Sequence, residues 1–292
     1  MTDKALLQRF DAWQAEGRTL ALATVIGTEG STYSKAGHRI LIADSGDYEG
    51  LVSGGCLEGD LAVHAREVIG SGEARLVTYD LRGEREELFG LGIGCDAPGR
   101  CRIRLAARGE HPAGHTLLDS GDGVDAVDCG GADIFECLIQ PLPRLLVLGA
   151  GADAVPVVVL ADLLGWRVTL VDHRPAWLER PAFAVVDTRL CAPAEALAAS
   201  LELAVFNAAI VMSHHLATDL SYLSALAASP VPYLGLLGPP GRRDRLLREL
   251  GAGAAAVEGR LRGPAGINIG ADSPESIALS ILAEIHAATR NR

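Results

Sequence analysis

The residues best suited to chemistry in this chain sit in glycine-bearing loops. Ser53-Gly54-Gly55-Cys56-Leu57-Glu58 places a thiol and a carboxylate at the head of a helical pattern running to about Ile69. Gly90-Leu91-Gly92-Ile93-Gly94-Cys95 again joins glycines to a cysteine. A cysteine at a helix start has its thiolate stabilised by unpaired N–H groups and the helix dipole, which suits a nucleophile, a sulfur carrier or a metal ligand. Cys56 fits that pattern best, and a small packed thiol is the plain alternative for both Cys56 and Cys95. Glu58 could work as an acid–base group, or be an acid favoured in a first helical turn. The loop 27–37 carries Gly30, Ser31 and Lys35, so backbone amides and one cation could meet an anion there, as Gly54 and Gly55 could before their helix. Each of these glycines could equally serve a turn.

The second half holds a more complete pattern. Residues 144–172 read RLLVLGAGADAVPVVVLADLLGWRVTLVD: strand, glycine turn, helix, strand, acid. Gly149 and Gly151 would let backbone N–H groups approach a diphosphate, with the helix N-terminus attracting its charge. Ala154 takes the place of a third glycine, and Pro156 falls in the first helical turn, where its missing N–H costs little. Asp172 lies 21 residues past Gly151, where an acid can accept hydrogen bonds from a ribose. Arg174 could instead meet a 2′-phosphate or other phosphate oxygens. Further on, Ser213-His214-His215 follows a strand, and His214, with Asp219 five residues on, could orient a ligand or hold a loop. Gly238 and the arginines 242, 243 and 245 open another helix and could approach phosphate or form a solvated basic face.

These residues need a scaffold of two domains, expected at 1–140 and 141–292, within the 292-residue chain. The fold class read from the pattern is α/β: an N-terminal α/β domain, then a Rossmann-like doubly wound parallel sheet. In the first, helix 3–16, strands 19–26, 39–43 and 51–52, a helix to Ile69, and strands near 74–79 and 101–106 follow in turn. A Gly/Asp/His-rich segment from about 107 to 131 reads as irregular or hairpin structure bridging the domains. In the second, strands at 205–212 and 232–237 alternate with helices at 219–228 and 242–250. A last helix begins at Asp272-Ser-Pro-Glu275, with Ile277, Ile281, Leu282 and Ile285 as its core stripe.

Composition narrows the partners. Acidic residues outnumber basic ones by 37 to 26, a net charge of −11, which disfavours nucleic acid and anionic membranes. There is no long apolar run and no signal-peptide pattern, so the expected place is the cytoplasm. The six cysteines are then expected as thiols. Cys101, Cys129, Cys137 and Cys191 read as packing residues. No CxxC pair or helical histidine pair offers zinc-type ligation.

In combination the motifs resemble the XdhC/CoxI family, along nearly the whole chain. TVIGTEGSTYSKAGHRILI, GLVSGGCLEGDLAVHAREVI and GLGIGCD match its N-terminal blocks; LVLGAGADAVPVVVLADLLGWRVTLVDHRP matches its Rossmann half. MSHHLATDLSYLSAL, PVPYLGLLGP and INIGADSPESIALSILAEIHA match its last blocks. The resemblance implies an accessory factor that binds molybdenum cofactor (molybdopterin), protects it, assists its sulfuration and delivers it to the apo-subunit of a xanthine dehydrogenase-type molybdenum hydroxylase. A cysteine desulfurase would be a second partner, and a homodimer the expected assembly. Cys56 and Cys95 would then face the cofactor, Cys56 meeting molybdenum only through it. The Rossmann half would bind a nucleotide or the cofactor's phosphate end. Asp96-Ala97-Pro98 replaces glycines common after the second cysteine, Leu216 stands where many members have a histidine, and Pro239 where a serine is frequent. Two other readings of the residues stay open: an NAD(P)-dependent oxidoreductase with His214 as proton donor, and a nucleotide-sensing regulatory protein.

Overall fold

The computed structural model describes residues 2–80, 99–107, 124–128, 134–138 and 141–290. Cys95 with its glycines, Cys129 and most of the 107–131 segment lie outside the described residues. The chain divides into two units, Met1–Leu142 and Pro143–Arg292.

The first unit is an antiparallel sheet with helices on opposite faces. Its elements are α1 (Asp3–Ala15), β1 (Leu20–Gly30), β2 (Arg39–Ala43), β3 (Tyr48–Glu49), α2 (Glu58–Ser71), β4 (Arg75–Asp80) and β5 (Gly99–Ala107). The strand order is β3-β2-β1-β5-β4. Strand alternation sorts the side chains. Ala21, Ala23, Val25, Ile40, Ile42, Cys101, Ile103 and Leu105 pack under Leu61, Ala65 and Val68 of α2. Leu20, Leu41 and Ala43 meet Trp13, Leu6 and Phe10 of α1 on the other side. The Thr2 hydroxyl caps α1 by accepting from the Ala5 amide, and Gly17 leaves the helix at φ +76°. A separate antiparallel pair, β6 (Val124–Asp128) and β7 (Ile134–Leu138), follows.

Two expectations in this unit need correction. β1 does not stop at Ile26: β5 supplies partners out to Gly99, so the strand continues through a bulge between Val25 and Gly27 to Gly30. Leu51 and Val52 do not form a strand, because the Val52 amide donates to Glu58. The strand is Tyr48–Glu49, paired with Leu41 and Ile42.

The second unit is a doubly wound parallel sheet. Its strands are β8 (Arg144–Leu148), β9 (Arg167–Asp172), β10 (Thr188–Cys191), β11 (Ala208–Val211), β12 (Leu234–Leu236) and β13 (Leu261–Arg262); its longer helices are α3 (Ala154–Leu163), α4 (Leu216–Ala227), α5 (Pro240–Leu250) and α6 (Pro274–Arg290). The order β10-β9-β8-β11-β12-β13 reverses between β8 and β11, the place where such sheets open a crevice for ligands. Leu145, Val147, Val168, Leu170 and Ile210 face α3 and α6, with Ile281, Leu282 and Ile285 of α6 buried against them. Leu146, Leu148, Val171, Val211 and Leu236 face α4 and α5 on the opposite side. The strand expected at 205–212 is shorter, since Leu203–Val205 form a 3₁₀ turn. β10 and β13 complete the sheet without having shown an apolar run.

Gly149 is indispensable to this crevice. Its φ is +118°, and a Cβ there would lie 2.7 Å from the Met212 carbonyl oxygen, main-chain atoms that cannot swing away. At Gly151 the nearest atoms, in the His214 ring, would be 3.6 Å away. Gly149→Ala should therefore lose roughly 3 kcal/mol of stability, and Gly151→Ala less than about 1 kcal/mol. Denaturant midpoints read by tryptophan fluorescence would measure both; equal losses would contradict the backbone clash.

Candidate functional site

The carboxyl edge of the parallel sheet gathers six of the residues singled out from the sequence. Gly149 and Gly151 follow β8, Asp172 ends β9 with Arg174 two residues beyond it, His214 follows β11 and Gly238 follows β12. Asp172 is 2% exposed. Its Oδ2 accepts from the Ala150 amide (2.8 Å) and Arg174 Nη2 (2.8 Å), its Oδ1 from the Arg174 amide (2.9 Å) and Nε (2.8 Å). Burial alone would raise this carboxyl, but Arg174 and the two amides outweigh it and bring the pKa down to about 2. With four acceptor positions filled, Asp172 stitches the glycine turn to the end of β9 and offers no vacant lone pair to a ribose. Arg174 also lies on the Trp177 ring, 3.7 Å from its centroid, and Arg180 lies on the same ring at 4.0 Å.

Across the switch point, His214 adopts φ +62°, a conformation uncommon outside glycine and a mark of strain at functional sites. Its expected partner, Asp219, is not the one it finds. Asp219 is fully buried and accepts from Ser213, through its amide and hydroxyl, and from Arg242 Nε (3.0 Å) and Nη2 (2.5 Å). Arg242, in the first turn of α5, thus ties that helix to the first turn of α4. Gly238, at φ +134°, makes room for it, since a Cβ there would strike Arg242 Cδ at 2.6 Å. His214 Nε2 instead lies 3.1 Å from Oδ2 of Asp153, in the glycine turn. Sequence reasoning missed Asp153, although it sits two residues past Gly151. None of the hydrogen bonds among the described residues uses the amides of Gly151, Ala152 or Asp153. These amides at the head of α3 are what an anion would need.

The N-terminal loops are built differently. Glu58 is fully buried, and its carboxylate accepts from the amides of Val52 (2.8 Å), Ser53 (2.9 Å), Gly55 (3.0 Å) and Leu57 (3.2 Å) and from Ser53 Oγ (2.5 Å). Burial works to raise its pKa, yet the bonds from Ser53 and from the main chain prevail and lower it. So Glu58 is the anchor of its own loop rather than an exposed acid–base group. Gly54 and Gly55, at φ +77° and +109°, curl the chain around it. The cradle expected there for a ligand anion already holds an anion belonging to the protein. Helix α2 starts at Glu58 with Leu57 as N-cap, which puts Cys56 just outside the helix, half-buried against the core rather than in the first turn.

The loop 27–37 meets this one directly. Ser34, 2% exposed, donates to the Leu51 carbonyl (3.4 Å), and the Tyr33 ring, itself 65% exposed, borders Gly54. Gly30 ends β1 at φ +73°, with Ser31 and Lys35 exposed beyond it. Two of the three glycine loops therefore come together, and the loop of Cys95 lies outside the described residues. Cys101 is packed as expected, and burial pushes its thiol up to about 11. Cys191 departs from expectation: it is exposed at the end of edge strand β10, near the His173 carbonyl. No His/Cys/Asp/Glu group suited to a metal ion occurs among the described residues, and no helix among them is long and apolar enough to cross a membrane.

Residues 145–285 match the XdhC Rossmann domain, and residues 13–80 match the XdhC and CoxI family. A Bacillus subtilis protein named as a probable xanthine dehydrogenase subunit is 30% identical, over 94% of this chain and 94% of its own length. The Escherichia coli molybdenum cofactor insertion chaperone PaoD is 26% identical, over 92% of this chain and 83% of its own. A crystal structure from Bacillus halodurans, described as that of a xanthine dehydrogenase, aligns with 100% of this chain and 97% of its own at a TM-score of 0.80 and 27% identity.

The clamp around Asp172 makes stability depend on pH in a defined direction. Its folded pKa is depressed, so its contribution is complete above the ordinary aspartate pKa of 3.8 and is lost as pH falls through about 2. The size is roughly 2 kcal/mol. Asp172→Asn should remove that part of the acid limb while lowering stability near neutrality. Urea midpoints at pH 2, 3, 4 and 7 would test this, and parallel pH curves for the two proteins would contradict it.

Proposed function

Because this chain belongs to the XdhC and CoxI family, we propose that it binds molybdenum cofactor and hands it, in sulfurated form, to a xanthine dehydrogenase-type molybdenum hydroxylase. The observation that carries this reading is the near full-length similarity, through both units, to a molybdenum cofactor insertion chaperone. A pterin dithiolene that ends in phosphate or in a nucleotide diphosphate needs oriented N–H groups. In the second unit the amides of Gly151, Ala152 and Asp153 at the head of α3 suit a nucleotide or a phosphate end bound there. His214, poised over Gly151, would close on it from the β11 side. When bound, the group brings the molybdenum and sulfur that the client enzyme uses; this chain's part is to hold and release it.

Cys56 is our choice for the sulfur-bearing end. Its thiol is half-buried at the rim of a loop fixed from within by Glu58, so it is held without being sealed in the core. The apo-subunit of the hydroxylase is the receiving partner, and a cysteine desulfurase the source of sulfur. The saturated carboxylate of Asp172 weighs against an NAD-type oxidoreductase, because a ribose would have to break the Arg174 clamp before it could bind.

Cys56→Ala should lower the molybdenum that co-purifies with the full chain by about tenfold without changing its thermal midpoint. Elemental analysis, with mass identification of the released small molecule, reads the outcome. Unchanged metal loading would remove Cys56 from the site, and calorimetry showing no uptake of molybdopterin would overturn the function itself.

A further inference from the structure

The Glu58 carboxylate fills the amide cradle of the N-terminal unit, so a phosphate bound to this unit needs another source of positive charge. Strand β5 provides one. Its sequence, Gly-Arg-Cys-Arg-Ile-Arg-Leu, alternates strictly. Cys101, Ile103 and Leu105 enter the core under α2, so Arg100, Arg102 and Arg104 share the opposite face of the sheet. The register sets Arg104 beside Thr24, which in turn faces Arg39 of β2. Arg102 lies opposite Gly27 and Arg100 opposite Glu29, with Thr78 and Asp80 of β4 on their other side.

Three features single out Arg100 and Arg102. Arg100 Nε is buried with no hydrogen-bond partner among the described residues, an uncommon and costly state for part of a charged group. Arg102 is also half-buried, and neither has an ion pair with another described residue, although the carboxylates of Glu29 and Asp80 occupy the rung of Arg100. The β1 bulge falls opposite Arg102, and bulges frequently re-aim side chains beside functional sites. At this bulge Gly27 lacks a side chain, and the Arg102 guanidinium turns its Nε/Nη2 edge to where one would be: both atoms are 3.1 Å from the place of its Cβ. Two guanidinium groups two residues apart on a strand are about 6–7 Å apart at their Cα atoms, a spacing that lets both fork onto one phosphate or diphosphate. Gly27 leads through Thr28 and Glu29 into Gly30 and Ser31, so this patch is continuous with the glycine loop that meets Cys56's loop.

We propose that Arg102, set against Gly27, and Arg100, on the same face of β5, form a binding site for the phosphate or diphosphate ester of the ligand handled by the N-terminal unit. It rests on the reading above that this unit handles a phosphorylated pterin or its nucleotide form. The amides after β8 then serve a nucleotide or phosphate on the second unit independently.

Inorganic pyrophosphate, titrated into the full-length chain, is the probe, read by hydrogen exchange of peptides spanning 22–30 and 99–107. Protection of both peptides is expected. Arg100→Gln with Arg102→Gln should weaken the response about tenfold while leaving any response at 149–155 intact. Arg102→Lys alone should keep part of it, and Arg245→Gln, an exposed residue paired with Glu249, should keep all of it. An unchanged thermal midpoint would show that the double variant folds. Wild-type peptides that stay unprotected, or protection that survives the double variant, would overturn the proposal. Arginine-dependent protection in a chain that takes up no molybdopterin would uphold this site and sink the function. Uptake of molybdopterin without any arginine-dependent pyrophosphate response would do the reverse.

Discussion

Buried carboxylates hold the loops at both of this protein's glycine turns in shape. Glu58, Asp172 and Asp219 are each no more than 2% exposed, and burying a charge is unfavourable by several kcal/mol unless donors surround it. Each is surrounded. Glu58 gathers four amides and a hydroxyl, Asp172 an amide pair and the Arg174 fork, Asp219 the Ser213 amide and hydroxyl with the Arg242 fork. None can be removed alone without leaving its donors unsatisfied. The loops they pin are therefore formed before any ligand arrives, and binding need not supply the entropy of ordering them.

The same device has opposite consequences in the two units. In the first, the carboxylate consumes the amides that a glycine-rich helix start would otherwise turn outward, and the loop becomes a rigid mount for Cys56. In the second, Asp172 takes only Ala150's amide from the glycine turn, one residue short of Gly151, and none of the hydrogen bonds among the described residues uses the next three amides. An acid in the first helical turn thus consumes its loop's amides, whereas one at the end of the next strand leaves most of them unused. Asp219, for its part, forces Ser213 and His215 into a tight turn, with His214 between them at positive φ. The strain at His214 is maintained by the Ser213–Asp219–Arg242 network.

Much of this was legible in the residues. The parallel unit follows from apolar β-branched runs, a glycine turn and helical spacing, all local signals that tertiary packing reinforces. The partners of the carboxylates were not legible. Glu58 reads as an ordinary first-turn acid because nothing in its neighbours' identity says that main-chain amides, present at every residue, will converge on it. Asp153 is inconspicuous because it lies inside a glycine motif, while Asp219 is nearer in sequence to His214. β10 and β13 were invisible for another reason. As edge strands of four and two residues they bury little, and Thr-Arg-Leu-Cys carries no alternation strong enough to distinguish it from a loop. The length of β1 depends on β5, some 70 residues away in the chain, which no local pattern encodes.

The end of β9 shows how such clamps select among ligands. An acid at this place in a parallel sheet ordinarily meets ribose hydroxyls, but here Arg174 folds back onto it within two residues and rests on Trp177. Arg180 approaches the same ring without a carboxylate of its own among the described ion pairs. Two guanidinium groups therefore share the Trp177 ring beside the one carboxylate of Asp172. A ligand that brings only hydroxyls would have to compete with charge-assisted bonds, whereas one that brings phosphate can use Arg180, and the exposed side of Arg174, without breaking the clamp. The pairing that fixes the glycine turn therefore also occupies the carboxylate that a sugar hydroxyl would need.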